Sequence, residues 1–310
     1  MTESETRAPA RRRPALLSQT WAAPLLLLAV GSMLGITAVN AKAAALAGWP
    51  PLAFLAAANL GATALQLAGG ALAGRRVRTD RPTLAYYLVS GLLAVLPNAL
   101  LFAAAPYVGA GIVALAFAFP LILTYGLALA LGLERLQGRR LAGVLLGLAG
   151  ALVIALGDAV LGLRPSPWLL AVVAAPVVLA IGNLYRSLYW PQGADALDLS
   201  PGMLAVGGLA LVIGLAAFGQ PLAPAEWSPA TASFLAAQTA IFALFYVLFF
   251  ALQKLAGPVY LSQIGSVGAL VGLALATLVL AEPLTPKILA AGALVAGGIV
   301  LVNRGARRRA

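Results

Sequence analysis

Cysteine and histidine are both absent from the 310 residues. That double absence removes disulfides, thiol chemistry, His-ligated metals, haem and every Ser/His or Cys/His catalytic arrangement. Charge is scarce as well: 9% of residues are charged against 62% hydrophobic, and the mean hydropathy is +0.98. That leaves too little polar surface to cover a soluble globule, so the chain belongs in a bilayer. Acidic residues are the scarcest, nine against twenty basic. None lies deep in an apolar run, where a proton-coupled carrier would want a titratable group. A membrane transferase acting on a phosphate substrate would want clustered acids to hold magnesium, and Asp195 and Asp198 are the only close acidic pair in a loop. No catalytic residue, metal or cofactor is expected.

What the chain does have is apolar length. Crossing the hydrocarbon as a helix takes roughly 20 residues. Segments near 24–46, 52–74, 84–104, 108–131, 141–157, 168–190, 201–219, 232–252, 258–281 and 287–303 qualify. Turn formers such as Gly48-Trp49-Pro50-Pro51 and Arg164-Pro165-Ser166-Pro167 join them. The predicted fold is an all-α integral membrane protein of ten transmembrane helices.

The net charge of +11 sits in short clusters between these spans, which speaks for membrane orientation and against nucleic acid. With the N-terminus inside, the cytoplasmic side collects Arg7 and Arg11 to Arg13, then Arg75, Arg76, Arg78 and Arg81. It also gathers Arg135, Arg139, Arg140, Arg186, Lys254, Arg304 and Arg307 to Arg309. That is 17 basic residues, and the opposite side has only Arg164 and Lys287. The positive-inside rule then puts both termini in the cytoplasm of a multi-pass cell (inner) membrane protein. The early arginines resemble a signal-peptide start, but the apolar run continues to about Leu46 without a convincing cleavage site, so it reads as a retained first helix. Trp21, Trp49, Trp168, Trp190 and Trp227 are expected as interfacial anchors.

Residues 117–154 recur 148 positions later, at 265–302. In that register Glu134 meets Glu282, Leu136 meets Leu284, Arg139 meets Lys287, and Gly150 meets Gly298. Two apolar helices match by composition alone often enough, yet here the charged and turn positions align too. Five spans per half is an odd number, so the second half enters the membrane from the other side, as in inverted-repeat transporters. The expected organisation is a basic tail (1–23), a first five-helix repeat (24–157), an inverted second one (158–303) and a basic tail (304–310), with a central cavity between the repeats.

The glycine-to-lysine spacing Gly35–Lys42, Pro120, Glu134-Arg135-Leu136 with Gly143 to Gly150, and Glu282-Pro283-Leu284 with Gly292 to Gly298 resemble the drug/metabolite transporter superfamily. The likeness is to its ten-span type, built of two EamA-like repeats. Leu34 stands where that family often has Trp, and Gly268 where it has a mid-helix proline. The resemblance implies export or exchange of small organic solutes, amino acids and other metabolites among them, through a cavity walled mainly by spans one, three, four, six, eight and nine. The partners it implies are a solute and the lipid bilayer, with the chain a monomer or weak homodimer. A non-transporting membrane scaffold subunit is the alternative.

Candidate solute-binding residues are the polar groups inside spans: Asn40, Lys42, Asn98, Asn183, Gln238, Tyr246 and Gln263. Each needs a partner in hydrocarbon, so interhelical bonding competes with solute binding for every one. Lys42 could equally snorkel to the interface or form an ion pair between helices. Pro97, Pro120 and Pro176 are candidate kinks or hinges. Phe242, Phe245 and Phe249 share a helical stripe with Gln238 that reads first as lipid-facing or packing surface and second as a cavity wall. Glu134 and Glu282 read as structural locks at the joints, pairing with Arg139 or Lys287 or accepting N–H groups of the next helix.

Overall fold

A computed structural model describes residues 16–132, 136–139, 141–143, 145–147, 149–150, 153 and 166–306. Glu134, Arg135, Arg140, Arg164, Arg7, Arg11 to Arg13, Arg307 to Arg309 and eight of the seventeen residues of the expected fifth span lie outside the described residues. The principal elements among the described residues are all helices: α1 (Leu16–Leu46), α2 (Pro51–Leu72), α3 (Arg81–Val108), α4 (Ala110–Ala116), α5 (Phe119–Ala130), α6 (Pro167–Leu188), α7 (Ala196–Ala217), α8 (Pro229–Leu261), α9 (Ile264–Leu280) and α10 (Pro286–Ala306). Seven runs, with α4 and α5 counted as one, are long and apolar enough to cross a membrane, and α9 and the start of α10 are shorter apolar helices. The outer surface is as greasy as the core: Leu72, Phe218 and Leu278 are 91%, 81% and 81% exposed. Only a bilayer accommodates such a surface, and the chain is a multi-pass helical membrane protein.

Local chemistry sets the helix starts. Asp80 accepts the Thr83 N–H at the head of α3, and Ser228 accepts that of Thr231 at the head of α8. Asp195 and Asp198 form a capping box on α7. Proline occupies a first-turn position in α2, α3, α6 and α8, where its missing N–H costs nothing. Gly109 (φ 91°) ends α3 with a sharp turn, and Gly257 (φ 76°) breaks α8 in the same way. Both φ values lie where a side chain would be strained.

The packing follows small residues. α1 lies along α9, where a Cβ on Gly35 would come within 2.6 Å of the Gly272 nitrogen and 2.7 Å of the Gly268 carbonyl oxygen. Leu34 and Gly268, the two departures from the family pattern, face each other across this contact, the small residue making room for the leucine. α2 packs on α7, α3 on α6 and α7, α8 on α1 and α2, and α4 on α9. Gly298 of α10 backs onto the carbonyl of Gly143 and the nitrogen of Gly147, close contacts that suit the glycine-rich stretches of both expected repeats.

Trp49 departs from its expected role. It is 3% exposed, donates its indole N–H to the Thr231 carbonyl at 2.9 Å, and meets Trp227 edge-on at 5.4 Å. Just before Pro50, the N-cap of α2, this ring packs in the core instead of marking the interface. Trp227, 62% exposed, keeps the exposed position.

Candidate solute cavity

Two interrupted helices make the cavity. The run 110–130 loses its regular hydrogen bonding at Phe117–Ala118, immediately before Pro120, and α8 gives way to α9 at Ser262–Gln263. The two breaks touch: a Cβ on Gly265 would sit 1.5 Å from the Phe117 carbonyl oxygen, so only glycine allows this approach. Phe117, Pro120, Ser262 and Ile264 thereby reach the wall of a cavity completed by Leu34 and Thr37 of α1, Ala94 and Asn98 of α3, Leu179, Asn183 and Arg186 of α6, and Phe242, Phe245, Tyr246 and Phe249 of α8. About 60 Å³ within this wall is open to the centres of water-sized molecules, enough to hold ordered water or a small group.

Polar groups are few and directed. The Asn98 side-chain amide donates to the Ala94 carbonyl at 2.7 Å and to the Tyr246 hydroxyl at 3.4 Å, joining α3 to α8 across the cavity. Asn183 accepts at Oδ1 from Arg186 Nη2 at 2.7 Å. Arg186 is 2% exposed, with its guanidinium carbon 5.2 Å from the centre of the Phe249 ring. Around them the wall is aromatic and aliphatic, the usual make-up of a small-molecule pocket with a few orienting groups.

Residues 21–156 match the EamA-like transporter family. The EamA-like stretch supplies Leu34, Thr37, Ala94, Asn98, Phe117 and Pro120 to the cavity, and the remaining nine lining residues come from α6, α8 and α9 and the Ser262 turn. A protein known from its crystal structure superposes over 91% of this chain and 98% of its own with a TM-score of 0.65, at 19% identity, a likeness of fold alone. No curated protein matches the chain.

Of the residues picked from sequence, Asn98, Asn183 and Tyr246 line the cavity, as does Pro120. Asn40 and Gln238 bond to each other at 2.9 Å, and Gln238 reaches on to Thr37 at 3.2 Å, a network tying α1 to α8 beside the cavity. Gln263 lies in the turn between α8 and α9, next to the cavity-lining Ser262. Pro97 and Pro176 are buried inside helices that continue through them. Lys42 pairs with Glu282 at 2.6 Å and borders a separate crevice with Tyr107 and Gly109. Glu282 also accepts the N–H groups of Ala110 and Gly111, so this lock reaches across to another run of the chain.

Two readings change. Phe242, Phe245 and Phe249 form cavity wall, because the α8 face that carries them turns toward α3 and α6. Arg186, counted among the loop cations, is inside α6 and is the largest fully buried side chain among the described residues, which removes one residue from the cytoplasmic tally. It falls only four residues before Trp190 at the end of the apolar run, where a sequence reader expects loop charge. Its one signal was Asn183, a polar residue three positions earlier on the same helical face.

Proposed function

We propose that the chain is a secondary transporter, an exporter or exchanger. It carries a small organic solute such as an amino acid or related metabolite by alternating access between two inverted five-helix repeats. The repeats are 24–157 and 158–303, in the cell (inner) membrane with both termini cytoplasmic. The observation that carries this reading is the meeting of Asn98 and Tyr246 in the cavity wall, two residues 148 positions apart. Under a two-fold relation with that offset, a residue in contact with its own counterpart sits on the axis. Alternating access places the solute there.

The same offset relates the caps Asp80 and Ser228, the threonines that bond to them, the left-handed breaks Gly109 and Gly257, and the buried rings Phe102 and Phe250. These correspondences support the two-repeat reading beyond shared hydrophobicity. The family match over residues 21–156 supports transport as the activity.

The test is counterflow. Purified protein in liposomes preloaded with a mixture of amino acids and organic acids should accumulate the labelled member that it carries, above protein-free vesicles. No accumulation of any member would contradict the reading and favour a scaffold role.

A further inference from the structure

The cavity holds a cation that no carboxylate among the described residues answers. Arg186 is 2% exposed, and its Nε and Nη1 have no hydrogen-bond partner among the described residues. Its Nη2 is used by Asn183, a neutral acceptor, and the Phe249 ring covers one face. The described carboxylates are elsewhere: Asp195 and Asp198 pair with Arg75, Asp80 with Arg78 and Glu282 with Lys42, while Glu226 precedes the cap of α8. None lines the cavity. A guanidinium cannot shed its charge, and a buried charge without a counter-charge is strongly unfavourable unless something supplies one.

Building on the transporter reading, we infer that the solute carries an oxyanion group, carboxylate or phosphate, on an apolar or aromatic body, and that Arg186 receives that group through Nε and Nη1. The rest of the wall fits such a body: Leu34, Phe117, Phe242, Phe245 and Ile264 offer apolar surface, with Asn98 and Tyr246 left to orient any neutral polar substituent. A cationic solute meets the opposite situation, a like charge and no carboxylate to hold it. The wall therefore selects by charge sign as well as by shape.

Three probes of one ring size separate the possibilities: phenylacetate, phenyl phosphate and benzyltrimethylammonium, each titrated at pH 8 against the purified protein with thermal unfolding as readout. One or both anions should raise the midpoint saturably, and the cation should not; which anion acts at lower concentration names the oxyanion. Arg186→Leu should weaken the anion effect by roughly tenfold or more, and Arg186→Lys, which keeps a point charge, by less. The wild-type comparison needs no variant, so a misfolded Arg186→Leu does not blunt the test.

Stabilisation by the cation equal to that by the anions, no shift with either anion, or full anion binding by folded Arg186→Leu would overturn the inference. Counterflow of labelled phenylacetate keeps the two proposals apart. An anion that binds without moving contradicts transport and leaves the site, whereas a cation that moves while both anions do not leaves transport and removes the site.

Discussion

Removing the carboxylate of Glu282 should unlock one end of three helical runs at once. That oxygen pair takes Lys42 Nζ at 2.6 Å, the Ala110 N–H at 2.8 Å and the Gly111 N–H at 3.0 Å. It joins the end of α1, the start of α4 and the end of α9. A charge-assisted hydrogen bond is worth about 1.5–3 kcal/mol, and a backbone donor left buried and unpaired costs about 1–3 kcal/mol. The side chains of Lys42 and Glu282 are still 18% and 14% exposed, so solvent screens part of this. We expect Glu282→Ala to cost about 3 kcal/mol, and Glu282→Gln, whose amide oxygen still accepts an N–H, about half that.

For a chain of this size 3 kcal/mol is a drop of about 5 °C in the unfolding midpoint, measurable on purified protein in detergent. A double-mutant cycle with Lys42→Met should return a coupling of about 1–2 kcal/mol. The pH dependence has a definite sign. Burial pushes the Glu282 carboxyl up, but the Lys42 hydrogen bond and the two backbone N–H groups outweigh it and hold it below its ordinary 4.5. A depressed carboxylate contributes its stability above that ordinary value and loses it as the pH falls below. Between pH 7 and pH 5 the wild-type advantage over Glu282→Gln should therefore be constant, and it should shrink as the pH drops under 4.5. A Glu282→Ala protein that melts within about 1 °C of wild type at pH 7 would refute the lock.

Asn98→Ala and Tyr246→Phe should each weaken solute handling by about 1 kcal/mol, the scale of one neutral hydrogen bond, while leaving folded protein; flux at subsaturating solute, normalised to monodisperse protein, reads this out, and wild-type flux in both would remove them from the site. Gly265→Ala, which drives a Cβ against the Phe117 carbonyl, should cost about 3 kcal/mol and lower the yield of monodisperse protein. Gly214→Ala, with nothing within 4 Å, should be neutral or slightly stabilising. Single cysteines at Gln137 and Thr285, 148 residues apart, should be labelled by an impermeant reagent from opposite sides of the membrane. Labelling from the same side would contradict the inversion.

Most of the helical layout was legible from apolar length and from the turn formers that bound several runs, as at Gly48–Pro51 and Arg164–Pro167. Asn98 and Tyr246 were legible together because one offset related them, and a single helix would have revealed neither. What escaped was three-dimensional. Lys42 and Glu282 lie 240 residues apart, and nothing in either segment specifies the other. Arg186 looked like loop charge because hydropathy averages over a window and hides one cation near its edge. The α8 phenylalanines carry the same periodicity whether they face lipid or cavity; only the position of α3 and α6 decides which. The Gly265 contact with Phe117 likewise depends on where two broken helices cross.

The central claim is a cavity reached in turn from both sides of the membrane, and the absence of native cysteine gives a silent background for testing it. The measurement is the labelling of Ser262→Cys, a cavity-wall position at the break between α8 and α9, by a membrane-impermeant thiol reagent. The reagent is applied in separate experiments to the outside and to the inside of oriented vesicles. The account predicts labelling from either side, slowed by a transported solute. Labelling from one side only, unchanged by any solute, would contradict it.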